Sequence, residues 1–230
     1  QVKRFSSFFN LLKTIEGYEY SKRIRISSIE PNLLSDQIIK LFSNSRVFVP
    51  HFHIPLQSGS DKILNKMKRR YLSNYYEETV RKIKKMIPNA SIGADVIVGF
   101  PGESDDDFLD TYNFIKKIDV SYLHVFTYSE RPGTESVNFN ETVENKIRVQ
   151  RRVLLRKLSE SKKKKFYSTQ LGKKFNILLE NNNNKGYIYG YTENYIRVRS
   201  PWNPSLKNSI INGELDFIDN EGFVRFKTSN

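Results

Sequence analysis

Apolar side chains recur along the first half of the chain with two periods that take turns. Phe5, Phe8, Phe9, Leu12 and Ile15 fall at helical intervals. The stretch 23–28 alternates charged and apolar residues and predicts a strand, which Glu30-Pro31 ends because the residue before a proline is pushed out of the helical region. Leu34, Ile38 and Leu41 mark a second helix, 46–55 is strand-like in its Val, Phe and Ile, and 60–67 is a short helix. A stripe of Tyr76, Val80, Ile83 and Ile87 follows, with Asn74 and Glu77 at capping-box spacing. Ala94, Val96, Ile97 and Val98 give 91–100 the composition of a buried strand. Ser104 and Asp107 form a second candidate cap, ahead of a helix carrying Phe108, Tyr112, Ile115 and Ile118, and 120–128 reads as another strand.

This alternation is that of βα units around a parallel sheet, an α/β class. Four strands are too few for a closed eight-stranded barrel, so the expectation for residues 1–166 is the later part of a (β/α) barrel without its first strands. Such a piece should be poorly stable alone, because a sheet edge is left open. A long helix spans 142–166, with Lys162 to Lys165 as its basic end. Beyond it the segments 175–179, 186–191, 195–198, 213–218 and 223–226 are short, β-prone and separated by Gly, Asn or Pro. They predict a small antiparallel barrel or sandwich over 167–229, with 181–184 as a hairpin tip.

Charge sharpens this picture. Lys and Arg number 38 against 25 Asp and Glu, a formal net charge of +13, which points to a polyanionic partner and to nucleic acid before a membrane. There is no cysteine, which excludes disulfides and thiolate metal sites within the chain and fits a reducing, cytoplasmic setting. No apolar run approaches the roughly 20 residues of a membrane span, so no membrane partner is expected.

Candidate chemistry gathers where the strands end, as it does in βα barrels. Ser27, Ser28 and Glu30 follow the first strand, and His51, His53, Gln57, Ser58, Gly59 and Ser60 surround the second. Asp95 lies in the third, closed by Gly99, Pro101, Gly102 and Glu103, and His124, Tyr128, Ser129, Arg131, Gly133 and Thr134 belong to the fourth. His51 and His53 share a face, but no third ligand stands out, and no metal site is expected. Asp95, a carboxylate inside a buried strand, needs a partner or a role. In the β-rich region Tyr187, Tyr189 and Tyr191 share a face for which core packing is at least as good a reading as base stacking. Arg197 and Arg199 share a face and are the better candidates for phosphate.

The stretches RIRISSIEPNLL (23–34), HFHIPLQSGSDKIL (51–64), MKRRY (67–71), DVIVGFPGES (95–104) and YLHVFTYSERPGT (122–134), in that order and spacing, together resemble the radical-SAM methylthiotransferases. The branch with the best match methylthiolates threonylcarbamoyladenosine beside the tRNA anticodon; the isopentenyladenosine branch and a ribosomal-protein branch rank behind it. A non-catalytic RNA-binding remnant is the other reading. The resemblance implies S-adenosylmethionine as cofactor, in a pocket built from Ser28, Glu30, Gln57, Ser58, Asp95, Val98, Gly99 and Phe100. Arg131 would stand at the mouth where a flipped-out adenosine arrives. It also implies a TRAM-like module at the C-terminus that binds the anticodon stem-loop, with Lys173, Lys174, Arg197 and Arg199 toward RNA. In the family a [4Fe-4S] cluster cleaves S-adenosylmethionine, the deoxyadenosyl radical takes hydrogen from adenine C2, and an auxiliary cluster supplies sulfur. Those clusters are held by cysteines in regions expected to precede Gln1. The chain is therefore expected to be inactive alone and to need an N-terminal half as its partner.

Overall fold

A computed structural model describes residues 7–18, 23–139 and 141–228. Among these residues six α-helices and eight strands occur, in the order α1 (Phe8–Glu16), α2 (Asp36–Asn44), β1 (His51–His53), α3 (Asp61–Lys66), α4 (Ser73–Met86), β2 (Ser91–Val98), α5 (Asp105–Lys117), β3 (Tyr122–Thr127) and α6 (Asn145–Ser168). Then come β4 (Lys174–Leu179), β5 (Tyr187–Thr192), β6 (Arg197–Pro201), β7 (Ile210–Ile218) and β8 (Val224–Thr228). Phe5, expected on the first helix, lies outside the described residues.

The first sheet is parallel, in the order β1-β2-β3. Among the described residues it has three strands where four were expected. The alternating stretch 23–28 makes only one parallel bridge, Ile24 to Phe48, through Ile24 N–H to Val47 O at 2.8 Å and Val49 N–H to Ile24 O at 2.9 Å. Alternation alone does not make a strand without a partner along its whole length.

Phe52, Ile54, Ile92, Ala94, Val96, Val98, Leu123 and Val125 point to one side of the sheet and are buried in the larger core with α2, α4, α5 and α6. Removing such surface from water is the main stabilising term here.

Of the two expected caps, one holds. Ser104 Oγ accepts the Asp107 N–H and the Asp107 carboxylate accepts the Ser104 N–H, so α5 opens on a complete capping box. Asp105, Asp106 and Asp107 in its first turn also complement the helix dipole. The Asn74–Glu77 box is corrected. α4 starts two residues earlier, with Leu72 at the cap position, because the Asp61 carboxylate accepts the Ser73 N–H at 2.8 Å and Asn74 Oδ1 turns to the Tyr75 N–H.

The last five strands close into a barrel in the order β4-β5-β6-β8-β7. It is antiparallel except at one seam, where β6 meets β8 in parallel at Val198 and Val224. Phe175, Ile177, Leu179, Ile188, Ile196, Val198, Leu215 and Val224 fill it, together with Phe166 and Tyr167 from the end of α6. The middle of α6 contributes Leu155 to the larger core, so this helix joins the two. Lys185 and Gly186 both take positive φ, 53° and 81°, and make the tight turn from β4 to β5.

Candidate functional site at the mouth of the parallel sheet

The face of β1–β3 that turns away from the helices is polar. Register sets Tyr122 beside Gly93, His124 beside Asp95 and Phe126 beside Ile97, with His53 beside Gly93 on the other flank. Gly93 is required there: a Cβ would stand 2.3 Å from the Tyr122 ring. Tyr122 Oη meets His51 Nε2 at 2.8 Å. Burial, then Arg25 and the two other histidines, push the His51 pKa down to about 3, so the floor of this face carries a neutral imidazole.

One step along, Asp95 Oδ1 lies 2.9 Å from His53 Nε2 and 3.3 Å from His124 Nδ1. Burial works to raise the Asp95 pKa, but bonding to His53 and the charge of both imidazoles outweigh it and hold the carboxyl below its usual range. The donor atoms of His53, Asp95 and His124 all lie within 4.8 Å of one another. The sequence showed no third ligand to join the histidines. Pairing of β2 with β3 supplies two further donors, a set chemically able to hold a proton or a divalent ion.

Above this triad a cavity of about 670 Å³ opens at the carboxyl ends of the strands, within the range of small-molecule sites. Gln57, Asp95, Ile97, Phe100, Phe126 and Arg131 are among the residues that line it. Gln57 has φ +69°, costly for a residue with a Cβ, and its amide oxygen is buried with no partner among the described residues. Phe100 packs edge-on against Tyr128 and Phe139. The cations Lys66, Lys68 and Arg69 on the rim are paired with Glu141, Glu135 and Glu30 respectively. The Arg131 guanidinium has no acidic partner among the described residues.

Three loops form the mouth, and side chains from two helices hold them. After β1, Gly59 sits so close to α5 that a Cβ would stand 2.7 Å from Thr111 Cα. Ser58 Oγ is 3.1 Å from the Thr111 hydroxyl and accepts the Ser60 N–H, while Ser60 Oγ donates to Asp107 at 2.8 Å. Burial works to raise the Asp107 pKa, but bonds from Lys62, Ser104 and Ser60 hold it at about 2. After β2, Glu103 accepts the Gly99 N–H and forms a buried ion pair with Arg151 at 2.5 Å. After β3, Arg148 donates to the carbonyls of Val143 and Tyr128 and pairs with Glu130 at 2.7 Å. Its side chain lies where a Cβ on Gly99 would be. The helical periodicity of α6 shows Arg148 and Arg151 only as basic residues and gives no sign of this work.

The expected cofactor residues therefore divide. Gln57, Asp95 and Phe100 line the cavity, and Glu30 stands at its edge through Arg69. Ser58 and Val98 do not: the Ser58 hydroxyl is spent on Thr111 and Ser60, and Val98 faces the helices, fully buried. Gly99 serves the packing of Arg148, and Ser28 is exposed.

The small barrel corrects two further expectations. Tyr187, Tyr189 and Tyr191 lie on its outer face, because Ile188 between them points inward. Arg197 lies over the rings of Tyr189 and Tyr191 and pairs with Glu180 through both nitrogens. Arg199 lies over Tyr187 and Phe223, pairs with Asp219 and Glu221, and is 6% exposed. Neither guanidinium is free for phosphate as the sequence suggested. Lys173 and Lys174 are exposed, Lys173 with its Nζ 3.4 Å from the Gln170 amide oxygen.

Comparison with known proteins places this geometry. Residues 4–115 match the Radical SAM superfamily. The chain is 38% identical over 197 residues to a threonylcarbamoyladenosine tRNA methylthiotransferase of Bacillus subtilis, covering 84% of this chain and 44% of that protein. It is 36% identical over 213 residues to a tRNA-2-methylthio-N(6)-dimethylallyladenosine synthase of Vesicomyosocius okutanii, covering 92% of this chain and 48% of that protein. The chain thus spans about half the length of the curated relatives it matches. Among solved structures, coproporphyrinogen III oxidase from Escherichia coli, a radical SAM enzyme, aligns with TM-score 0.47 at 13% identity over 60% of this chain and 31% of that one. The sequence relationship covers most of the chain: it belongs to the radical-SAM methylthiotransferase family.

Proposed function

We propose that this chain is the S-adenosylmethionine- and RNA-facing part of a tRNA methylthiotransferase, and that its target is threonylcarbamoyladenosine beside the anticodon. The observation that carries this reading is the cavity at the strand ends, where the partnerless Gln57 amide oxygen stands among aromatic walls and Arg131 waits without an acid. The residues present fit S-adenosylmethionine: Gln57 and Asp95 offer polar anchors, and Ile97, Phe100 and Phe126 offer apolar walls for its adenine. One bound molecule of that cofactor, on accepting an electron from a reductant, would supply the radical, and a second molecule would supply the methyl group.

The residues do not fit an iron–sulfur cluster, since the 230 residues contain no thiolate. The role proposed for the chain is accordingly binding and orientation. The cavity would hold the cofactor and accept a flipped adenine over Phe126 and Tyr128, and the small β-barrel would act as a TRAM-like RNA-binding module.

Relatives bearing both substrate names align with this chain, so the choice between them rests on chemistry. A threonylcarbamoyl group ends in a carboxylate and a dimethylallyl group is wholly apolar. An unpaired arginine at the mouth favours the first.

The test is titration of the chain with S-adenosylmethionine, then with anticodon stem-loops carrying either modification. We expect Gln57→Leu to weaken the cofactor at least tenfold, and Arg131→Met to weaken the threonylcarbamoyl stem-loop while sparing the dimethylallyl one. Cofactor binding unchanged by Gln57→Leu overturns the cavity assignment. Preference for the dimethylallyl stem-loop moves the substrate to the other branch.

A further inference from the structure

At the opposite pole of the parallel sheet, where β2 and β3 begin, a cleft of about 360 Å³ lies between α4, α5 and α6. Its lining contains six lysines, Lys84, Lys116, Lys117, Lys162, Lys165 and Lys173, and a single carboxylate, Asp119. Two of the lysines are built into the wall. Lys84 Nζ donates to the Ala90 carbonyl at 2.9 Å, lies over the Phe166 ring, and is 3.5 Å from Asp119. Lys162 Nζ donates to the Ile118 carbonyl at 2.7 Å. Among the others, Lys117 pairs with Glu77, whereas the Lys116 and Lys165 ammonium groups have no acidic partner among the described residues. One aspartate cannot balance this crowd. Burial lowers the Lys162 pKa to about 8, and Lys165 and Lys84 push the same way against Asp119. A bound anion would reverse all of that repulsion.

We propose that this cleft binds a backbone phosphate of the RNA substrate, at a site separate from the cavity that takes the modified base. This rests on the reading of the substrate as RNA. Three features favour a phosphodiester. Lysines act as point charges suited to phosphate, with no planar fork for reading a carboxylate or a base. The cleft runs into the basic end of α6 and onward to Lys173 and Lys174 at the start of the small barrel. No side chain in its lining is placed as an aromatic platform open to a base, since Phe166 is buried. The eight residues of β2 separate the cleft from the cavity by about 25 Å at a rise of about 3.3 Å per residue, so the RNA would be held at two well-spaced points.

The experiment measures affinity of the 230-residue chain for a tRNA transcript against KCl concentration. Lys116→Glu/Lys165→Glu is compared with Lys13→Glu/Lys40→Glu, the same charge change outside the cleft. We expect the cleft variant to lose at least tenfold near 0.1 M salt and its slope of log affinity on log salt to fall by about one, the signature of a lost phosphate contact. The outside variant should lose under threefold with its slope kept. Equal losses in the two variants overturn the proposal, since net charge alone would then explain binding. Inorganic phosphate should compete for the cleft in the parent chain only; competition that is absent, or unaltered in the cleft variant, also overturns it. Circular dichroism checks folding, and Lys116→Gln/Lys165→Gln replaces any variant that does not fold. If the parent chain shows no preference for modified stem-loops yet the cleft variant loses its slope, the substrate assignment falls and the cleft stands. The reverse pattern removes the cleft and leaves the substrate assignment.

Discussion

In the parallel sheet the side chains facing the helices are apolar and those facing the other way include His51, His53, Asp95 and His124, while in the closed barrel the enclosed side is largely apolar, with the buried Thr192 hydroxyl bonded to Asn194, and the arginines lie outside among tyrosines. Both sheets obey the two-residue alternation of a pleated strand. They differ in what the polar face is for. Inside the parallel sheet, imidazoles and a carboxylate satisfy one another around a cavity. On the barrel each guanidinium is already saturated by acids and rings. Charge that is sequestered next to space can serve chemistry, whereas charge that is neutralised on a surface mostly stiffens it.

This contrast can be broken at several points. Arg151→Ala leaves Glu103, whose side chain is 2% exposed, as a lone buried carboxylate, and should cost about 3–5 kcal/mol in urea unfolding. The matching Arg199→Ala leaves Asp219 next to Arg225 and Glu221 largely in water, and should cost clearly less. Equal losses would erase the distinction. Gly93→Ala drives a methyl group into the Tyr122 ring and should cost about 1–3 kcal/mol of stability, read as a lower Tm. Adding Tyr122→Leu should recover part of it.

Asp107 gives a pH test. Its pKa of about 2 in the folded chain lies below the ordinary 3.8, so its stabilisation is full above about pH 4 and is lost as pH falls toward 2. The amount is on the order of 2 kcal/mol. Asp107→Asn should be less stable at neutral pH and should flatten that acid limb. The smallest effect is expected from Arg197→Ala, under about 1 kcal/mol because its ion pair with Glu180 is partly exposed, with RNA affinity nearly unchanged.

Much of the fold was legible because its signals are local. The α5 cap needs only Ser104 and Asp107, three residues apart, and the buried run in β2 needs only its own side chains. The misread features depend on distant partners. Asp61 decides where α4 begins, and closure of the barrel decides that Ile188 points inward and its neighbouring tyrosines outward. At the site, Asp95 was visible as a carboxylate needing company, but His53 and His124 become its company only through strand register. Arg148 and Arg151 escaped notice for the same reason: what they hold lies up to 48 residues away along the chain.

The turn between β5 and β6 draws three separate attachments into a few residues. Arg23 donates to the Tyr191 carbonyl, Asn194 donates to the Asn89 carbonyl at 2.9 Å, and Tyr195, at φ +66°, fits its ring between the Arg25 guanidinium and His51. An inserted residue at 192–195 would throw the last two out of phase at once, beside the Tyr191 carbonyl that holds Arg23. One inserted at 181–184, on the other end of the same strand, would touch none of them. Drift in length along a lineage should therefore collect in the asparagine turn and spare its neighbour.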